Sequence, residues 1–140
     1  MNNYLQLKNI SKNFNIDKKI KVLKNLSYDF HKGKVYALMG PSGSGKSTLL
    51  NLISLIDRPS SGSINFNNVQ VNFNESDKND IFRSKKIGII YQQNNLLPDF
   101  TALENIYFAS LAVGNSKEKS VSKAKSLLKK VGLLNRSDHY

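Results

Sequence analysis

With 140 residues, 39% of them hydrophobic, the chain has room for one domain or part of a larger one, and its lack of cysteine excludes a disulfide framework or a cysteine–metal site. Lys and Arg number 21 against 10 Asp and Glu, a net charge of +11 that favours anionic partners. The lysines are spread along the chain with no RNA-binding aromatic motif or zinc-finger spacing, so nucleic acid is not expected as a partner. No signal-peptide pattern opens the sequence and no apolar run approaches the ~20 residues of a bilayer span, so a membrane role is expected to come through a partner. On that expectation the Asn-x-Ser triplets at Asn9, Asn25 and Asn74 carry no glycosylation meaning.

Tyr4 to Lys8 alternates and reads as a strand, and Val22 to Phe30 as a second, with a polar loop from Asn13 to Lys21 between them. Val35 to Met39 is an apolar run that reads as a buried strand. A helix is expected from Lys46 to about Ile56, stopped by Pro59 and followed by a turn at Ser60-Ser61-Gly62. Ser63–Phe66 and Val69–Phe73 form a hairpin pattern around Asn67-Asn68. Asp77 is placed to cap a short helix through Lys85, and Ile87 to Tyr91 reads as another buried strand. Pro98 and Asp99 break the chain before Thr101-Ala102-Leu103-Glu104, a capping box that starts a helix running to Val113. The last helix spans Lys117 to Val131, with Val121, Ala124, Leu127, Leu128 and Val131 on one face and Gly132 at its end.

The stretch Gly40-Pro41-Ser42-Gly43-Ser44-Gly45-Lys46-Ser47-Thr48 fits the pattern G-x-x-x-x-G-K-[ST], between an apolar run and a helix start. Glycines at 40, 43 and 45 admit backbone angles and close approaches that a β-carbon blocks. The N–H groups of Gly43 to Ser47 are then free to turn inward as an anion nest, reinforced by the positive end of the helix. Lys46 reaches the β- and γ-phosphates as a point charge, Ser47 ligates Mg2+ through its hydroxyl, and Thr48 lies near the α-phosphate. This reading makes ATP or a related triphosphate the ligand, with Mg2+. The plainer alternative is a glycine-serine loop that only turns the chain. The dinucleotide fingerprint fails because Thr48 stands where its last glycine belongs, and the hydrolase elbow fails because Ser44 follows Gly43.

Further segments carry a family resemblance. Leu7 to Phe14, Val22 to Ser27, Gly33-Lys34-Val35, the stretch Ile56 to Ile64 and Tyr91-Gln92 together make the chain similar to the ATP-binding subunit of ABC transporters. The resemblance implies an α/β P-loop NTPase with an N-terminal antiparallel β region, a nucleotide-binding core within residues 1–93, and the start of a helical subdomain over 94–140. It gives Phe14 the adenine-stacking position; a plain core aromatic is the alternative. It makes Gln92 the residue that contacts Mg2+ or the attacking water and relays nucleotide state to the membrane subunits. The alternative is an ordinary loop amide with no ligand, and Gln93 lies next to it. Neither His31 nor His139 receives a catalytic role.

The implied partners are membrane-spanning transporter subunits and a second ATP-binding subunit in a head-to-tail dimer, peripheral on the cytoplasmic face of the membrane. Gln92 to Pro98 and Leu103-Glu104-Asn105-Ile106 resemble the branch of lipoprotein-releasing systems and macrolide-type exporters, although Asn94 departs from it. The family's Leu-Ser-Gly-Gly-Gln signature, its acidic strand, its catalytic glutamate and its switch histidine are all expected beyond Tyr140. The chain is therefore expected to be an incomplete domain, inactive by itself, with two apolar strand edges unpaired. A decayed nucleotide-binding fragment is a competing reading. A different P-loop enzyme is another, but Asp77, Asp80 and Asp99 do not end a buried apolar strand.

Overall fold

The computed structural model describes residues 3–15 and 19–140. They divide into two units, residues 1–83 and 84–140. In the first unit, β1 (Asn3–Asn15) pairs antiparallel with β2 (Lys19–His31) and with β3 (Ser61–Phe66), which turns into the short β4 (Val69–Gln70), giving the order β2-β1-β3-β4. Leu5 and Leu7 are buried at the two-residue spacing of a half-buried strand, but the next buried positions are Ile10 and Lys12. A bulge makes the change of phase: Leu7 faces Tyr28 and Ile10 faces Leu26, so β1 holds one residue more than β2 between those pairs. Asn9 takes φ 53° there, its N–H donates to Ser27 Oγ at 2.8 Å, and that hydroxyl donates to Asn9 Oδ1 at 3.1 Å. Gly62 on β3 lies against the bulge, and a β-carbon at 62 would run into the carbonyl oxygens of Lys8 and Asn9.

The ladder extends further than the sequence pattern indicates. Asn13 pairs with Lys21, Phe14 with Ile20 and Asn15 with Lys19, so the expected loop from Asn13 to Lys21 is strand at both ends; residues 16–18 lie outside the described residues. The hairpin around Asn67-Asn68 is present, with both asparagines at positive φ as a two-residue type I′ turn requires. Its second strand stops at Gln70 rather than Phe73, because Asn72 Oδ1 accepts from Asn74 N–H at 3.1 Å and turns the chain away.

The helix α1 (Lys46–Ile53) buries Leu49 and Leu52 in a core that includes Leu7, Ile10 and Ile64. It ends before Ile56 for a local reason. Leu55 adopts φ 58°, its N–H donates to Leu52 O at 3.1 Å, and Ile56 N–H donates to Asn51 O at 3.0 Å. That is the Schellman arrangement, with leucine where glycine is usual. The segment after α1 is tied back to β1 by Lys12, whose Nζ donates to Asp57 Oδ1 at 2.6 Å and to Arg58 O at 2.8 Å. The Lys12 side chain is only 11% exposed, so the ammonium is paired where leaving it unpaired would be strongly destabilising.

Two expected strands are absent. Val35–Met39 and Ile87–Tyr91 make no ladder among the described residues, and Val35 and Ile90 are fully exposed. Reading a short apolar run as a buried strand presupposes a neighbouring strand on at least one side, and none is described beside either run. The helix α2 (Ser76–Lys86) follows, with Asp77 inside its first turn instead of at its cap.

In the second unit, α3 (Ala102–Ala112) packs against α4 (Lys117–Lys130) through Tyr107, Ser120, Ala124 and Leu128. The expected apolar face of α4 is only partly covered: Leu127 is 43% and Val131 66% exposed, while Ser120 is fully buried and its hydroxyl meets Ser110 Oγ at 3.0 Å. The capping box forms as the sequence predicts. Thr101 N–H donates to Glu104 Oε2 at 2.8 Å and Glu104 N–H donates to Thr101 Oγ1 at 3.3 Å.

The Thr101 backbone N–H, and then its hydroxyl, hold the Glu104 carboxyl below its ordinary value of 4.5. A depressed folded value adds stability that is complete above the unfolded value and is lost as pH falls through the folded one. The helical circular-dichroism signal at 222 nm should therefore show an acid step below pH 4.5 that Glu104→Gln shrinks. An unchanged step in Glu104→Gln would show that the cap carboxylate does not carry it.

Candidate functional site

The loop between residue 40 and α1 is built from the backbone outward. Ser44 N–H donates to Pro41 O at 3.3 Å, closing a turn, and Leu49 N–H donates to Gly45 O at 2.9 Å, opening the helix. Gly45 is the N-cap, left-handed at φ 91° and ψ 9°, and no side chain caps α1. No acidic residue lies in its first turn. The helix therefore presents N–H groups that have no intrahelical acceptor, at the positive end of its dipole, with no carboxylate to occupy them. Glycine is required at 45 for two reasons. Its φ is positive, and a β-carbon would stand 3.0 Å from Leu23 Cδ2 and 3.1 Å from Val22 Cγ1, where the loop seats on β2.

Lys46 folds back over this loop. Its Nζ donates to Gly40 O and Pro41 O, both at 2.8 Å, and lies 3.5 Å from Ser44 Oγ. An ammonium has three donors, and here the loop's own oxygens take them. The cation is thus held at the loop by neutral acceptors, which bind an ammonium less strongly than an anionic oxygen does. Ser42, Gly43 and Ser47 are exposed and Thr48 is half-buried. A cavity of about 240 Å³ adjoins the loop, lined by Leu38, Met39, Gly40, Pro41, Ser44 and Lys46 among others. The exposed Ser47 hydroxyl is a hard oxygen donor at the uncapped helix start, which suits Mg2+ carried in on phosphate oxygens. Among the described residues no group of three His, Cys, Asp or Glu gathers to hold a metal ion.

Residues 40–48 are thus brought together in the first unit. Phe14, on β1 in the same unit, is 37% exposed and outside the buried core, with Lys12 Nζ 5.0 Å from its ring centroid. Gln92 belongs to the second unit, exposed and in a bend beside Gln93. The segment that follows is held by Asn105, which the sequence singles out only as part of the branch resemblance. Asn105 Oδ1 accepts from Leu97 N–H at 2.8 Å, and its Nδ2 lies 3.1 Å from Leu97 O and 2.9 Å from Phe100 O. One side chain thus bonds both backbone groups of Leu97 and fixes residues 97–100 onto α3. The Lys12–Asp57 pair was passed over. Nothing in a sequence links a lysine in a strand to an aspartate 45 residues later.

Against known proteins, the sequence profile described as ABC transporter matches residues 23–140. The chain is 40% identical over 121 residues to the lipoprotein-releasing system ATP-binding protein LolD of Saccharophagus degradans, covering 86% of this chain and 53% of that protein. It is 39% identical over 132 residues to the macrolide export ATP-binding/permease protein MacB of Mannheimia succiniciproducens, covering 94% and 20%. Its backbone matches a dimeric post-hydrolysis structure of the ATP-binding cassette MJ0796 bound to ADP and Pi, with a TM-score of 0.84 and 35% identity over 96% of this chain and 60% of that one. The chain spans about half the length of LolD. Its α/β fold is the fold of that cassette.

Two alanine substitutions separate the two demands on the loop glycines. Gly43, at φ 78°, has open space where a β-carbon would go, so Gly43→Ala should lose only the ~1 kcal/mol of left-handed backbone strain. Gly45→Ala adds a clash with β2 and should lose about 2 kcal/mol or more. Urea unfolding midpoints compare them; equal losses would mean that the loop does not seat on Leu23 and Val22.

Proposed function

The chain belongs to the ABC transporter family, and from that membership we propose that it is the ATP-binding subunit that energises a transporter, with release of lipoproteins from the inner membrane as its task. The observation that carries the ATP-binding role is the start of α1, where a left-handed Gly45, an uncapped run of N–H groups and the Lys46 ammonium lie together in one loop. The N–H groups of Gly43 to Ser47 wrap the phosphates, Lys46 leaves its loop carbonyls for the β- and γ-phosphates, and Thr48 contacts the α-phosphate. Ser47 would hold Mg2+, which when bound neutralises phosphate charge, and the family resemblance gives Gln92 a contact to that ion or to the attacking water. Phe14 stacks on the adenine. Gln92 transmits the nucleotide state to membrane-spanning subunits from the bend that precedes residues 97–100, which Asn105 fastens to α3. A second ATP-binding subunit completes the site head to tail, on the cytoplasmic face of the membrane.

The lipoprotein assignment is supported by LolD, and the MacB similarity points to macrolide export as the competing cargo.

Titration calorimetry with Mg-ATP tests the reading. Lys46→Ala should weaken binding by about 10- to 100-fold, the worth of one charge-assisted contact. Equal affinity in the variant would overturn the assignment of the loop.

A further inference from the structure

We propose that Lys12 is a positioning residue for the nucleobase: its ammonium, fixed by Asp57 and Arg58, sets the plane of the Phe14 ring on which adenine stacks. The proposal rests on the ATP-binding reading and on the place that reading gives Phe14. Lys12 and Phe14 stand two residues apart on β1 and so share one face of the sheet. On that face Ile10 is fully buried and Lys12 nearly so, while Phe14 lies past the edge of the core. The Lys12 ammonium lies over the Phe14 ring, 5.0 Å from its centroid, within the range at which a ring face attracts a cation. The same Nζ donates to Asp57 Oδ1 at 2.6 Å and to Arg58 O at 2.8 Å, which holds the cation in place over the ring.

The phosphate loop reaches the same place from across the ladder. Lys12 pairs with Leu23 and Asn13 with Lys21, so β2 carries one extra residue there. Val22 and Leu23 are the residues against which Gly45 seats. The loop therefore sits one strand away from Lys12, and Phe14 stands about 7 Å further along β1, the rise of two strand residues. One nucleotide, with its base at one end and its phosphates at the other, spans such a separation. Asp57 and Arg58 follow α1, the helix that the loop opens. Lys12 thus ties the Phe14 ring to the helix that presents the phosphate site. With the ammonium over one face of the ring, a base stacks on the opposite face, and the ring is fixed before the base arrives. Fixing one side chain in advance is worth about two- to tenfold in affinity.

The test compares calorimetric affinities for Mg-ATP and for magnesium tripolyphosphate, which offers the loop its phosphates without a base. Lys12→Met should weaken ATP binding about two- to tenfold and leave tripolyphosphate binding unchanged. Lys12→Arg should restore ATP affinity, since a guanidinium also pairs with a carboxylate and stacks on a ring. Asp57→Asn breaks the same ion pair but keeps the cation and an oxygen acceptor for it, and should weaken ATP binding less than Lys12→Met does. In a Phe14→Ala chain, Lys12→Met should lower ATP affinity no further. Circular dichroism verifies folding, and Lys12→Gln replaces Lys12→Met if that variant fails it. The proposal is overturned by equal losses for the two ligands, by an Asp57→Asn loss as large as that of Lys12→Met, or by a loss that persists without Phe14. If Phe14→Ala itself leaves ATP affinity unchanged, the stacking role and this proposal fall while tripolyphosphate binding keeps the loop assignment. If neither ligand binds, the loop assignment falls and the proposal with it.

Discussion

The first N–H groups of an α-helix have no acceptor within the helix, and a protein must supply one or leave the position open to an anion. At α1 this chain leaves it open. Gly45 replaces the usual Ser, Thr, Asp or Asn cap, the first turn carries no acid, and the nearest charge is the Lys46 ammonium. At α3 and α4 the same requirement is met from within, by Thr101 with Glu104 and by Ser116. Two helices capped by their own side chains beside one that is not is the contrast from which the nucleotide-binding reading follows.

The rest of the first unit keeps that helix start in place. The bulge at Asn9 shifts the inward phase of β1 so that Ile10 and Lys12 face the same layer as Leu5 and Leu7. Lys12 then reaches Asp57 and Arg58 just beyond α1, while Leu49 and Leu52 fix its middle in the core. The close fit of Gly45 against Val22 and Leu23 fixes its beginning. The helix is thus held at its start, along its length and just past its end.

What the sequence made legible was local. The glycine loop and the capping box are short patterns in which each residue type answers to a backbone group a few positions away, and both stand where the pattern puts them. The end of α1 was not legible, since leucine at 55 gives no sign that it will turn left-handed where glycine is the usual signal. Val35–Met39 and Ile87–Tyr91, expected as strands with unpaired apolar edges, form no ladder among the described residues, since apolar composition records a preference for burial and not the presence of a covering strand. On α4 the helical spacing holds, while two residues of the apolar face, Leu127 and Val131, stay exposed. Lys12 and Asn105 act through partners fixed by tertiary structure, which no local pattern encodes.

The measurement that bears most directly on this account is a titration of isotope-labelled chain with Mg-ATP, followed by amide proton–nitrogen chemical shifts. The account predicts that the largest changes fall on the N–H groups of Gly43, Ser44, Gly45, Lys46 and Ser47, since these become the phosphate donors. Saturable binding that leaves those five amides unmoved and shifts others instead would contradict it, because the uncapped start of α1 would then not be where the nucleotide sits.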